Sequence, residues 1–97
     1  GNYILFNEIS FALKLMEKYA YPIEKIDQVY DKLYEGRNLT IVIDLIGVDV
    51  VYKIIKNLKE VDETIYLPKV LRVALDKNIL GKKNKTSIRT LLSKENK

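Results

Sequence analysis

Apolar residues recur at helical spacing through much of the chain, and a β-prone four-residue stretch late in it departs from that pattern. Ile9, Leu13 and Met16 fall at i, i+4 and i+7, with Phe6 and Ala12 beside them. That stripe predicts a helix over Tyr3–Tyr19. Tyr21-Pro22 breaks it, and Pro22 suits the first turn of a second helix, where its missing N–H costs nothing. Glu24 and Asp27 come early in that helix, where its dipole favours acids. Ile23, Ile26, Val29, Tyr30 and Leu33 form its inward stripe, and Gly36 is placed to end it, giving Pro22–Glu35. Val48, Val51, Tyr52, Ile55 and Leu58 mark one face of a helix over Val48–Lys59, with Lys53, Lys56 and Lys59 largely opposite. Lys69–Ile79 repeats the pattern with Val70, Leu71, Ala74 and Leu75 inward. Asn84 or Thr86 can cap a last helix that carries Ile88, Leu91 and Leu92.

Two segments are less regular. Four of the apolar residues of Leu39–Ile46 are β-branched, which favours a strand, yet Leu39, Val42, Ile43 and Ile46 also fit a helix face. Thr64-Ile65-Tyr66-Leu67 is β-rich and is stopped by Pro68, so it reads as a short strand. A lone strand leaves its backbone N–H and C=O groups unpaired. Its partner is either Leu39–Ile46 or its own copy across a two-fold axis.

Composition narrows the chemistry. Ninety-seven residues allow one small domain or two very small ones. The chain has no Cys and no His, so disulfides, thiolate or histidine metal sites and the familiar nucleophile–histidine arrangements are excluded. No apolar run is long enough for a membrane helix and no leader peptide is visible, which leads to an expectation of a cytoplasmic protein. The remaining carboxylates of note, Asp44, Asp49, Asp62 and Glu63, are explained by helix caps and solvated loops. No enzyme activity, cofactor or metal is therefore expected. Charge is uneven: residues 1–67 carry eight basic and eleven acidic residues, and residues 68–97 carry nine basic and two acidic. An acidic body followed by a basic end points to a polyanionic partner such as nucleic acid, or to a solvated basic tail.

Asp44–Leu92 resembles the Mor/C family of phage middle- and late-gene transcription activators. The resemblance is carried by Asp44-Leu45-Ile46-Gly47, the helix after it, and Thr64-Ile65-Tyr66-Leu67-Pro68-Lys69. Gly81, Asn84 and Ser87-Ile88-Arg89-Thr90-Leu91 resemble the opening of that family's helix-turn-helix. The resemblance implies a mainly α fold: a helical dimerisation domain over 1–67 ending in a strand that pairs across a two-fold homodimer. A basic helix-turn-helix-like segment over 68–97 would follow, stopping before the recognition helix. It implies a DNA-binding transcription regulator, with double-stranded DNA, a second copy of the chain and RNA polymerase as partners, and it favours helix for Leu39–Ile46.

On this reading Lys69, Arg72, Lys82, Lys83, Lys85, Thr86 and Ser87 contact phosphate, and Arg89 reads a base. Val51, Ile55, Leu58, Thr64, Ile65, Tyr66 and Leu67 form the dimer interface. The alternatives are a helical protein-interaction module that does not touch DNA, and a monomeric helical domain with a structural role.

Overall fold

The computed structural model describes residues 2–30 and 38–95. Helix α1 spans Asn2–Tyr19 and buries Phe6, Ile9, Ala12, Leu13 and Met16, the expected stripe. It stops where Ala20 turns left-handed (φ 57°), and the Tyr21 N–H reaches back to the Leu15 carbonyl at 3.3 Å. Helix α2 spans Ile23–Tyr30, and the Pro22 carbonyl accepts from the Lys25 and Ile26 N–H groups at 3.0 and 3.2 Å. Ile23 and Ile26 are buried, whereas Val29 is 62% exposed and does not belong to the inward stripe. Leu33, Glu35 and Gly36 lie outside the described residues.

Leu39–Ile46 is helical and forms α3. Its β-branched content is overridden by firm ends. The Asn38 side chain accepts from the Ile41 N–H at 2.9 Å and from the Thr40 hydroxyl at 2.8 Å. At the other end Gly47 takes φ 108°, donates to the Ile43 carbonyl at 2.8 Å and, through its own carbonyl, accepts from Val51 at 2.9 Å. One glycine thus closes α3 and opens α4, Val48–Val61. A side chain at that φ would be strained. Val48, Val51 and Ile55 of α4 are fully buried, and α4 packs against α1, α3 and α5. It is the central rod of the molecule.

The expected strand is not formed. Glu63 and Thr64 make a turn, Ile65 a bend, and Tyr66 to Pro68 run on without ladder pairing; no strand occurs among the described residues. Several of the segment's polar groups are engaged within the chain. The Ser10 hydroxyl donates to the Tyr66 carbonyl, the Lys59 ammonium donates to the Ile65 carbonyl at 3.0 Å, and Asp62 accepts from the Thr64 N–H at 3.0 Å. Ile65 is 5% exposed and belongs to the core. The argument for pairing with a second copy therefore lapses, because side chains of the same chain, Ser10 from 56 residues away and Lys59 and Asp62 from close by, engage these groups.

Helix α5 spans Lys69–Asp76, shorter than the sequence pattern suggests. Asn78 turns left-handed (φ 58°) and the Ile79 N–H returns to the Ala74 carbonyl at 2.8 Å, which closes the helix early. A 3-10 turn at Lys82–Asn84 leads to the last helix, α6, Arg89–Glu95. One hydrophobic cluster runs from Phe6 to Leu92 and joins residues from both sides of Pro68. Among the described residues no helix is long and apolar enough to cross a membrane.

Candidate functional site

The most highly constructed surface feature is the turn that joins α5 to α6. The Thr86 hydroxyl accepts from the Leu80 and Gly81 N–H groups at 3.1 and 3.0 Å and faces the Asn84 amide oxygen. The Asn84 amide donates to the Asn78 carbonyl at 2.8 Å. The Val48 N–H donates to the Leu80 carbonyl at 2.8 Å, so the turn is tied to the start of α4. Gly81, at φ 111°, lies directly on the α3 backbone at Asp44. Asp44 in turn accepts from the Ser87 hydroxyl at 2.6 Å and the Ile88 N–H at 3.0 Å. It caps the start of α6 from another helix.

This framework holds three lysines in different states. Lys83 lies over Gly47 and pairs with Asp49 at 2.7 Å. The hydrogen bond from Lys83 holds the Asp49 carboxyl below its usual range, against a small opposing effect of burial. Lys82 and Lys85 are exposed, with no ion pair among the described residues. They flank an open groove of about 340 Å³ lined also by Ile41, Asp44, Leu45 and Thr86. Ile41 and Leu45 are 44% and 46% exposed there, one helical turn apart on α3.

A second cleft of about 630 Å³ is lined by Met16, Glu17, Lys18, Ala20, Tyr66 and Lys69. Glu17 accepts from the Lys69 and Val70 N–H groups at 3.0 and 2.7 Å and also from the Tyr66 hydroxyl. The start of α5 is thus already occupied by a carboxylate of the chain itself. The Lys18 ammonium stands 5.8 Å from the centre of the Tyr66 ring, within cation–π reach.

The residues expected to face DNA stand in different surroundings. Lys69 edges the second cleft, and Arg72 pairs with Asp76 at 3.3 Å on the outer face of α5. Lys82 and Lys85 edge the groove, while Lys83 is engaged with Asp49. Thr86 and Ser87 are used to build the turn and to bond Asp44. Arg89, expected to read a base, is turned onto the body: its guanidinium donates to Asp27 at 3.0 Å and to Thr40 at 3.3 Å. Of the expected dimer contacts, Val51 and Ile55 are fully buried and Ile65 nearly so, within a single chain, where no second copy can reach them. Leu58, Tyr66 and Leu67 are half-buried and Thr64 is exposed.

The sequence reading missed Glu17 as a cap for α5 and Ile41 and Leu45 as exposed groove residues. Glu17 meets its partners across 49 to 53 positions, a distance no local pattern spans. Among the described residues no group of three or more acidic, His or Cys side chains is placed to hold a metal.

Residues 1–90 match the family described as 3-hydroxyacyl-CoA dehydrogenase, C-terminal domain. No curated protein and no solved structure matches the chain. The family match replaces the resemblance to Mor/C activators and, with it, the expectation of a helix-turn-helix DNA-binding transcription regulator. The Tyr-Leu-Pro-Lys segment that carried the resemblance forms no strand and leads into α5, and the interaction-module alternative gains nothing from the match. Spanning all but the last seven of the chain's 97 residues, the match shows that the chain belongs to the 3-hydroxyacyl-CoA dehydrogenase C-terminal domain family.

Proposed function

We propose that this chain is the helical domain of a 3-hydroxyacyl-CoA dehydrogenase and works as the non-catalytic partner of a separate dinucleotide-binding part. The observation that carries this reading is the match over residues 1–90, which takes in nearly all of the buried core from Phe6 to Ile88. Oxidising a 3-hydroxyacyl thioester to the ketone removes a proton and a hydride. The hydride needs an acceptor such as a nicotinamide dinucleotide, and the proton needs a base. The residues here do not fit that acceptor. The glycines stand at positions 1, 36, 47 and 81, too far apart for the Gly-rich turn that seats a dinucleotide's diphosphate. There is no histidine to take the proton. What the domain contributes is a rigid wall: α3, α4 and the 81–86 turn, locked together by Gly47, Gly81 and Asp44.

The test is reconstitution. The 97-residue chain is assayed with 3-hydroxybutyryl-CoA and oxidised dinucleotide, alone and then fused behind a dinucleotide-binding domain of this enzyme class. Dinucleotide reduction is followed by absorbance. No turnover alone and turnover in the fusion support the proposal. Turnover by the chain alone, or a fusion no more active than the dinucleotide-binding domain by itself, overturns it.

A further inference from the structure

Helix α1 is apolar on two faces, and only one of them lies in the core. Ile9, Leu13 and Met16 are buried, while Ile4 and Phe11, two turns apart, are 65% and 52% exposed. In steps of three and four residues from Ile4, that outer face runs through Asn7, Phe11, Lys14 and Lys18. The 64–69 connection lies along it and makes two open hollows that share Tyr66. The smaller, of about 60 Å³, lies between Phe11, Lys14 and Ile65. The larger is the cleft of about 630 Å³ edged by Lys18 and Lys69. Three cations, Lys14, Lys18 and Lys69, thus line one trough, none with an ion pair among the described residues. The acid in the trough, Glu17, is already engaged by the Tyr66 hydroxyl and by the Lys69 and Val70 N–H groups. Glu8, the other acid of α1, lines neither hollow.

We infer that this trough holds an acidic segment of a partner polypeptide, with its carboxylates on Lys14, Lys18 and Lys69 and one apolar side chain against Phe11. Charge is complementary at three points, and the exposed Phe11 ring supplies an aromatic anchor among them. A small molecule fits less well. Both hollows are open, so neither encloses a ligand, and the smaller is below the size of a ligand pocket. A chain segment makes several shallow contacts in a row and needs no enclosure. A second copy that set the same face against this one would bring lysines onto lysines, because a two-fold contact pairs a patch with itself. A nucleic acid carries a charge on every nucleotide and would set some of them against Ile4 and Phe11. The inference does not depend on the domain's proposed role in dehydrogenation.

The test selects a displayed library of random peptides against the immobilised 97-residue chain. An enriched peptide is then titrated into the isotope-labelled chain while amide shifts are followed. Enriched peptides are expected to combine Asp or Glu with an aromatic or branched aliphatic residue, and to shift amides along residues 4–18 and 64–69. Lys18→Glu with Lys69→Glu should weaken the peptide about tenfold or more, since two charge-assisted contacts turn repulsive. Phe11→Ser should weaken it as well, and Lys82→Glu with Lys85→Glu, at the other groove, should leave it unchanged. All these positions are exposed, so unchanged amide spectra of the free variants establish that they fold. No enrichment, enrichment of basic or uncharged peptides, or shifts centred on residues 41–45 and 81–86 overturns the inference. So does a single-stranded oligonucleotide that binds the trough as tightly as the peptide. Trough amides that shift with the concentration of the chain alone overturn it too, by marking the face as a contact between copies.

Discussion

A Cβ built at Gly81 would lie 2.6 Å from the Asp44 carbonyl oxygen, at φ 111°. Neither the backbone of α3 nor that torsion can give way cheaply. Gly81→Ala should therefore destabilise the fold by about 2–4 kcal/mol, read as a lower midpoint in urea unfolding. Gly47 also has a positive φ, but its nearest neighbour is the flexible end of Lys83, so only the torsion opposes a side chain there. The Lys83–Asp49 pair makes a smaller, pH-dependent contribution. Asp49 titrates below its usual value in the folded chain, so its contribution is present above the unfolded value of 3.8 and is lost as the pH falls through the folded one. Both side chains are 44% exposed, which limits the effect to under about 1 kcal/mol. Asp49→Asn should lower stability slightly at neutral pH and flatten the loss between pH 5 and the acid limit, measured by thermal melts across pH.

At the scale of elements, helix starts are held by side chains from other helices. Glu17 of α1 serves α5, and Asp44 of α3 serves α6. Asn38 caps its own helix, α3, and the Ser87 hydroxyl accepts locally from the Arg89 N–H at the start of α6. A local cap is legible in sequence, because the acceptor lies two or three positions from the donor. A borrowed cap is not. Glu17→Ala should leave the Lys69 and Val70 N–H groups without their acceptor and cost about 1–2 kcal/mol. Amide exchange should speed up over Lys69–Leu71 before it does over α4. Equal acceleration in both helices would mean that Glu17 supports the whole fold and not α5 alone. The ambiguous Leu39–Ile46 segment was decided by its ends: Asn38 and Gly47 close a helix, and β-branched interiors are tolerated once both termini are satisfied.

Across the whole molecule, the basic end and the acidic body share one interior. Val70, Leu71, Ala74, Ile88 and Leu92 complete a cluster begun by Ile9, Leu13, Val51 and Ile55. A fragment of residues 1–67 would expose those last four to water and should fail to fold on its own, seen as loss of cooperative melting and broad, poorly dispersed amide resonances. A cooperative transition in that fragment would mean that the body is self-sufficient. The uneven charge is real in sequence, but in the fold the basic residues differ in what they touch. Lys83 and Arg89 bond acids of the body, Lys82 and Lys85 share one groove, and Lys69 edges another cleft with Lys18.

The sequence by itself determined the helices, because an apolar stripe every three to four residues can be buried in no other way. It also ruled out histidine and thiol chemistry by composition alone. Only the tertiary structure decided the fate of Thr64–Leu67. Its β-prone residues needed partners for their backbone groups, and Ser10 and Lys59, with Glu17 on the Tyr66 hydroxyl, supplied contacts from inside the same chain. Whether a polar group is satisfied depends on what the fold brings within 3 Å, and that proximity is not written in the neighbouring residues.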